Sequence, residues 1–176
     1  MTVLTDWTIP AAEILESGKR FDRSATEPER LAVTKELAIL EVTKLQCDVR
    51  ARPLRKGHYQ VTGRIKADVV QACVVSLEPI EGKIDEAIDV EFWPEGEVPK
   101  PSSTAHDEWF DPQAPDGAEP IENGRINIGR LVFETLSAGL DPYPRKPGAT
   151  LAFKEKPEVS AEIHPFAALA KLKPKT

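Results

Sequence analysis

Two neighbouring stretches of alternating residues decide the fold of this chain. Residues 42–53 read VTKLQCDVRARP, and residues 59–75 read YQVTGRIKADVVQACVV. In each stretch apolar and polar side chains alternate with the two-residue period of a β-strand that buries one face. The short segment between them, residues 54–58, contains a glycine that suits a tight turn. The pattern therefore predicts a hairpin with one apolar face and one polar face.

The alternation also assigns the side chains of this hairpin to its two faces. The predicted inward residues are Thr43, Leu45, Cys47, Val49, Ala51, Tyr59, Val61, Ile65, Ala67 and Val69. The predicted outward residues are Lys44, Gln46, Asp48, Arg50, Arg52, Gln60, Thr62, Arg64, Lys66 and Asp68. After a predicted break at residues 78–82, a third strand at 83–93 directs Ile84, Ile88, Val90 and Phe92 inward, which completes an antiparallel meander.

Shorter elements are predicted on both sides of the meander. They are strands at 5–10 and 19–26, helices at 27–38 and 128–140, and a terminal helix at 165–172. Thr26 and Asn127 are suitable N-caps for the two longer helices, and Pro28 is tolerated in a first turn. The predicted fold class is therefore α+β, an antiparallel sheet packed by two or three short helices.

The composition of residues 94–124 differs from that of the rest of the chain. Six prolines stand there among glycine, serine and acidic residues, which predicts a long acidic, irregular insertion. We expect one domain spanning residues 1–176, with a mobile insertion at 94–124 and a C-terminal tail at 149–176. A chain of this length buries a sufficient core without disulfides or metals.

Overall charge and cysteine content limit the classes of function. The net charge is -6, which argues against nonspecific binding to nucleic acid. Cys47 and Cys73 are too few for a disulfide framework and fit a reducing compartment. The sequence shows neither a secretory signal nor an apolar run of about 20 residues. We therefore expect a cytoplasmic protein without a cofactor, a metal or a membrane partner.

The sequence contains no set of residues typical of a catalytic site. The three histidines, His58, His106 and His164, fall in segments predicted to be solvated, and no Gly-rich phosphate loop or His-Glu-x-x-His motif is present. An enzyme would require a pocket that gathers Glu78, Asp85 and His58. We expect none, and we expect no catalytic residues.

The two cysteines have a structural interpretation and an alternative one. Cys73 begins the sequence Cys-Val-Val-Ser, and a single thiol cannot complete a tetrahedral zinc site. Both Cys47 and Cys73 are therefore predicted to be small apolar core residues. The alternative is a reactive or vestigial ligand role.

Positive charge is concentrated in the hairpin. Between Val49 and Ala67 there are six cations and no acid. These cations, called the basic hairpin below, are Arg50, Arg52, Arg55, Lys56, Arg64 and Lys66. Crowded cations favour a polyanion such as RNA. The alternative is a solvated face with counter-charges from elsewhere, because residues 78–122 carry 14 acids against two lysines.

Several stretches together resemble the YceD family in its alphaproteobacterial form. They are residues 71–79 (QACVVSLEP), 84–92 (IDEAIDVEF), 119–129 (EPIENGRINIG), 140–148 (LDPYPRKPG) and 164–172 (HPFAALAKL). The resemblance implies a role in large-subunit ribosomal RNA accumulation or ribosome assembly, with no known enzymatic activity. It departs from members with Cys-x-x-Cys at Cys73, because Ser76 replaces the second thiol and no cysteine follows Tyr143.

Two hypotheses follow for the function. In the first, the chain is a non-enzymatic ribosome-biogenesis factor that contacts ribosomal RNA or a pre-ribosomal particle through the basic hairpin. In the second, it is an adaptor whose acidic insertion and proline-rich connector at 143–148 bind a basic partner protein, with indirect effects on RNA. The sequence leaves the oligomeric state open.

Overall fold

The computed structural model describes residues 3–98 and 118–150. Its strands are β1 (Thr8–Pro10), β2 (Lys19–Ser24), β3 (Glu41–Pro53), β4 (Tyr59–Ala72), β5 (Pro79–Pro94), β6 (Glu119–Ile121) and β7 (Arg125–Asn127). Its α-helices are α1 (Glu27–Leu37) and α2 (Ile128–Gly139), with short 3-10 turns at Ala11–Glu13 and Arg55–Gly57.

The central feature is a five-stranded sheet in the order β2-β3-β4-β5-β6. Strands β2, β3, β4 and β5 pair with one another in antiparallel orientation, and β6 lies parallel to the end of β5. Strands β1 and β7 pair separately as a two-stranded antiparallel sheet. The predicted α+β class and the meander over β3, β4 and β5 are confirmed.

The hydrophobic core lies on one face of the large sheet, where both α-helices contribute to it. Val33 of α1 and Leu136 of α2 belong to the same buried cluster as the inward residues of the sheet. Eight predicted inward residues of the hairpin are buried: Leu45, Cys47, Val49, Ala51, Val61, Ile65, Ala67 and Val69. The opposite face is left to the polar side chains of the same strands, as the two-residue period requires.

Thr43 departs from the predicted faces. It is exposed, while the preceding Val42 is buried. The reason is a register shift between Val42 and Lys44 in the pairing of β3 with β4. A bulge of this kind adds one residue to a strand and reverses the facing of the residues before it, which the local pattern did not indicate.

The break between the second and third strands also lies elsewhere than predicted. Strand β4 ends at Ala72, and β5 begins at Pro79, directly opposite Ala72. The predicted break at 78–82 was wrong because proline is acceptable as the first residue of a strand, where its missing N–H costs no ladder bond. The turn instead occupies residues 73–78, with Leu77 at a positive φ of 60°.

Both predicted helix caps are confirmed. The Glu29 carboxylate accepts hydrogen bonds from the Thr26 backbone N–H at 2.7 Å and from the Thr26 hydroxyl at 2.8 Å. Asn127 Oδ1 accepts from the Arg130 backbone N–H at 2.9 Å. Glu29 thus satisfies the N–H of the N-cap residue of α1, and Asn127 satisfies an N–H that the first turn of α2 leaves free.

The predicted insertion is shorter than expected at both described ends. Strand β5 continues to Pro94, and β6 pairs with the last residues of β5. Asn123 and Gly124 form the turn into β7, with φ values of 51° and 69°. Residues 99–117, the tail from residue 151 and the helix predicted at 165–172 lie outside the described residues.

Candidate nucleic-acid interface

The outward side chains of four strands form a continuous polar face. Three rows cross it from β2 to β5: Arg20, Arg50, Thr62 and Asp89; Asp22, Asp48, Arg64 and Ala87; Ser24, Gln46, Lys66 and Asp85. A shallow depression of about 710 Å³ lies over the rows formed by β2, β3 and β4. This outer face carries charges of both signs and includes four of the six cations of the basic hairpin.

Two hairpin cations share one carboxylate of the neighbouring strand. Arg64 Nε donates to Asp85 Oδ1 at 2.9 Å, and Lys66 Nζ lies 3.8 Å from Asp85 Oδ2. For Arg64 and Lys66, therefore, the alternative given above holds: an acid from elsewhere in the chain supplies the counter-charge. All three are at least about half exposed, with Asp85 at 49%. Exposed ion pairs of this type contribute only about 0–1 kcal/mol.

Arg50 lies beside an ion pair that joins β2 to β3. Arg20, its neighbour across the strands, donates two hydrogen bonds to Asp48, from Nε at 2.8 Å and from Nη2 at 2.7 Å. This bidentate pair lowers the pKa of Asp48. Arg50 Nη2 donates to the Ser17 carbonyl at 3.0 Å. Arg50 is exposed and pairs with no carboxylate among the described residues.

The remaining three cations lie at or near the tip of the hairpin. Arg52, Arg55 and Lys56 are exposed, and within the described part of the chain none of them forms an ion pair. Arg55 and Lys56 belong to the one-turn segment between β3 and β4, where Lys56 and Gly57 adopt positive φ values of 63° and 75°. The least neutralised part of the basic hairpin is therefore its tip and the adjacent end of β3.

An aromatic pair stands beside this tip. The rings of His58 and Trp93 stack with centroids 4.7 Å apart and planes inclined by 14°. His58 Nε2 is 2.8 Å from Glu97 Oε2, and Trp93 Nε1 donates to Glu91 at 2.9 Å. The prediction that His58 is solvated was wrong, because Trp93 of β5 covers it and leaves its side chain 17% exposed. His106 and His164 lie outside the described residues.

Cys73 has an environment unlike that of a core cysteine. Its Sγ accepts hydrogen bonds from the backbone N–H groups of Val75, Ser76 and Lys146, each at 3.4 Å. The Lys146 N–H, followed by the side chain and N–H of Ser76, lowers the pKa of Cys73 to about 6. Burial instead raises the pKa of Cys47, which lies in the main core, to about 12. Both thiols are buried, but only Cys47 joins the main hydrophobic cluster.

The residues required for the enzyme hypothesis do not meet. Glu78 lies in the turn after β4 and pairs with Lys146 Nζ at 2.9 Å. His58 precedes the opposite end of β4, and Asp85 pairs with Arg64 between these ends. Among residues 3–98 and 118–150, no group of three His, Cys, Asp or Glu side chains is placed to hold a metal ion.

Sequence reasoning missed Arg20 and Trp93. Arg20 pairs with Asp48 of the neighbouring strand, and Trp93 packs against His58 beside the tip. Both contacts join segments that are distant along the chain. Only the register of β2 on β3 and of β4 on β5 reveals them.

These features define a class of α+β protein, with helices on one face of a mostly antiparallel sheet and a charged outer face. A family model described as "Large ribosomal RNA subunit accumulation protein YceD" matches residues 61–173. The chain belongs to the YceD family, whose description connects it with large-subunit ribosomal RNA and names no catalytic activity. Searches of curated proteins and of solved structures found no match. Within the described residues, no helix has the length and apolar character of a membrane span.

Proposed function

We propose that this chain is a cytoplasmic, non-enzymatic ribosome-biogenesis factor that supports 23S ribosomal RNA accumulation by contacting RNA or an assembling particle through the basic hairpin. One observation carries the proposal. Arg50, Arg52, Arg55 and Lys56 are exposed at one end of the sheet, and none forms an ion pair with a described carboxylate. The family description supplies the kind of RNA.

The six cations contribute to this interface in two ways. The four that pair with no described carboxylate attract phosphates directly. Arg64 and Lys66 exchange Asp85 for a phosphate when RNA is bound, which costs little because their ion pairs are exposed. Arg20 remains with Asp48, since its bidentate pair has better geometry.

The acidic character of the whole chain fits this restricted interface. With a net charge of -6, most of the surface repels a polyanion, so RNA is attracted mainly at the basic hairpin. An RNA or particle that places several phosphates against this end of the sheet is favoured over an arbitrary nucleic acid. Binding should weaken steeply as salt is raised, because each neutralised phosphate releases counterions.

A charge-reversal variant tests the proposal. Arg50→Glu, Arg52→Glu, Arg64→Glu and Lys66→Glu together should abolish co-sedimentation with precursor particles while the circular dichroism spectrum is unchanged. A milder pair, Arg55→Gln with Lys56→Gln, should weaken binding to ribosomal RNA fragments. Its control, Lys35→Gln with Lys44→Gln, removes the same charge away from the tip and should bind as the unmodified chain does. Unchanged co-sedimentation of the fourfold variant would refute the RNA contact.

The adaptor remains the second candidate because the connector after α2 is held in place. Val74 N–H donates to the Pro144 carbonyl at 2.9 Å, and Lys146 pairs with Glu78. Tyr143 precedes these contacts, its N–H donates to Asp141 Oδ1 at 2.9 Å, and it is 76% exposed. A deletion of residues 99–117 and a Tyr143→Ala substitution separate the two hypotheses. Loss of a basic partner protein would favour the adaptor, whereas retained or stronger RNA binding would favour the RNA contact.

A further inference from the structure

Strand β5 has a long free edge. It is 16 residues long and pairs with β4 along one side, whereas β6 covers only Phe92, Trp93 and Pro94 on the other side. Within the described part of the chain, no other backbone segment hydrogen-bonds to residues 80–91. Every second residue of a strand directs its N–H and C=O toward a given side. About half of these residues therefore present backbone groups that no described segment pairs, over a length of about 40 Å.

The charged side chains along this edge are mostly acidic. Five carboxylates stand there against the single ammonium group of Lys83, and they belong to Glu81, Asp85, Glu86, Asp89 and Glu91. Glu81 and Glu86 are exposed and form no ion pair within the described part of the chain. The negative charge is therefore only partly neutralised, mainly at Asp85.

This charge pattern selects among possible occupants of the edge. Pairing with the same edge of a second copy would place like charges opposite one another, which is destabilising. RNA is repelled by the carboxylates. The segment 99–117 carries four acids against Lys100 and is also disfavoured. An extended segment rich in lysine or arginine satisfies both the open backbone groups and the charge.

We infer that the free edge of β5 binds an extended, basic segment of another protein, which adds to the sheet as a further strand. This interaction surface is separate from the tip of the basic hairpin and does not depend on the proposed RNA contact. Backbone hydrogen bonds supply affinity that tolerates sequence variation, and the carboxylates select a basic segment.

The experiment uses the full chain and a twelve-residue peptide that alternates lysine and threonine. Hydrogen exchange of individual amides is measured with and without the peptide. Saturating peptide should slow exchange at alternate residues within 80–91 and leave the amides of β2 unaffected. A peptide N-methylated at every second residue keeps its charge but loses donors on one side, and it should bind at least about tenfold more weakly.

Matched variants separate the edge from the remaining acidic surface. Glu81→Lys with Glu86→Lys should weaken peptide binding about tenfold or more. Glu16→Lys with Glu36→Lys makes the same change of charge on exposed residues elsewhere and should leave it unchanged. Arg55→Gln with Lys56→Gln should also bind the peptide normally, so failure of the RNA proposal is distinguishable from failure here.

Three results would overturn the inference. The first is strong protection of the outward amides of 80–91 in the free protein, since another part of the chain would then occupy the edge. The second is equal affinity for the N-methylated peptide, which would indicate charge attraction alone. The third is peptide-dependent protection confined to other strands.

Discussion

Trp7 Nε1 donates a hydrogen bond of 2.8 Å to Glu29 Oε1. Trp7 is fully buried. Arg23 contacts both partners: its Cζ lies 5.2 Å from the centroid of the Trp7 ring, and its Nη2 lies 2.9 Å from Glu29 Oε1. The same Glu29 carboxylate closes the N-terminus of α1 with Thr26. One acidic side chain therefore connects the N-terminal segment, β2 and α1.

Removal of this carboxylate should destabilise the protein. Glu29→Ala leaves the buried indole N–H and the Thr26 N–H at the N-cap of α1 without their acceptor, which should cost about 2–4 kcal/mol of the free energy of unfolding. Glu29→Gln keeps an acceptor oxygen and should cost less. Urea unfolding followed by tryptophan fluorescence measures the difference. The control Glu27→Gln should change stability by less than about 0.5 kcal/mol, and an equally large loss there would contradict the assignment.

Glu29 should also make the stability of the protein sensitive to acid. Burial alone would raise the pKa of Glu29, but hydrogen bonds from Thr26 and Trp7 and the charge of Arg23 bring it below its usual 4.5. A lowered pKa means that the stabilisation is complete above about pH 4.5 and is lost as the pH falls through the lower, folded-state value. Unfolding midpoints measured from pH 7 to pH 3 should decline less in Glu29→Gln than in the unmodified chain. Parallel decline of both proteins would contradict this role.

The two thiols should titrate far apart. Cys73 has a pKa of about 6 because three N–H groups point at its sulfur, whereas burial raises that of Cys47 to about 12. Ultraviolet absorbance should show one thiolate forming near pH 6, absent in Cys73→Ser and present in Cys47→Ala. Since the folded pKa is lowered from 9.0, the thiolate stabilises the fold fully above pH 9 and loses this effect as the pH falls through 6. A single transition above pH 8 would contradict the hydrogen-bonding arrangement.

The close approach of β3 and β4 should make Gly63 intolerant of a side chain. A Cβ at this position would lie 2.2 Å from the Asp48 carbonyl oxygen and 2.6 Å from Val49 Cα. Gly63→Ala should therefore force the strands apart and cost at least about 1–3 kcal/mol. Gly96→Ala is the control, because nothing lies within 4 Å of its Cβ position. Equal unfolding midpoints for the two variants would contradict the geometry.

Removal of the carboxylate shared by two hairpin cations should strengthen RNA binding. Asp85→Asn frees Arg64 and Lys66 and removes a negative charge from the outer face, so affinity for a ribosomal RNA fragment should rise about three- to tenfold at low salt. The dependence of affinity on salt should become steeper. Glu36→Gln removes one charge from α1 and should have little effect. Unchanged affinity of Asp85→Asn would place the RNA contact elsewhere.

Much of the fold was predictable because its signals are local. The alternation in β3 and β4 and the caps at Thr26 and Asn127 depend on residues close together in the chain, where sterics and hydrogen bonding act directly. The errors at Thr43 and Pro79 have a different origin. A bulge and the start of a strand are set by the partner strand, which is not visible in the pattern of one segment.

For the candidate site, too, the local features were predictable from the sequence and the contacts between distant segments were not. Its six cations were identified from the sequence, but whether each is neutralised depends on its ion-pair partners. Asp85 of β5 pairs with Arg64 and Lys66, and Arg20 of β2 pairs with Asp48. The stack of His58 on Trp93 was not predicted for the same reason.

By itself, the sequence determined the fold class, the faces of the central hairpin and the position of its positive charge, because side-chain direction alternates along any strand. Only the tertiary structure decided which of the cations pair with a described carboxylate and which strand edge no described segment covers. Ion pairing and ladder formation depend on distances of a few ångströms between segments far apart in the chain.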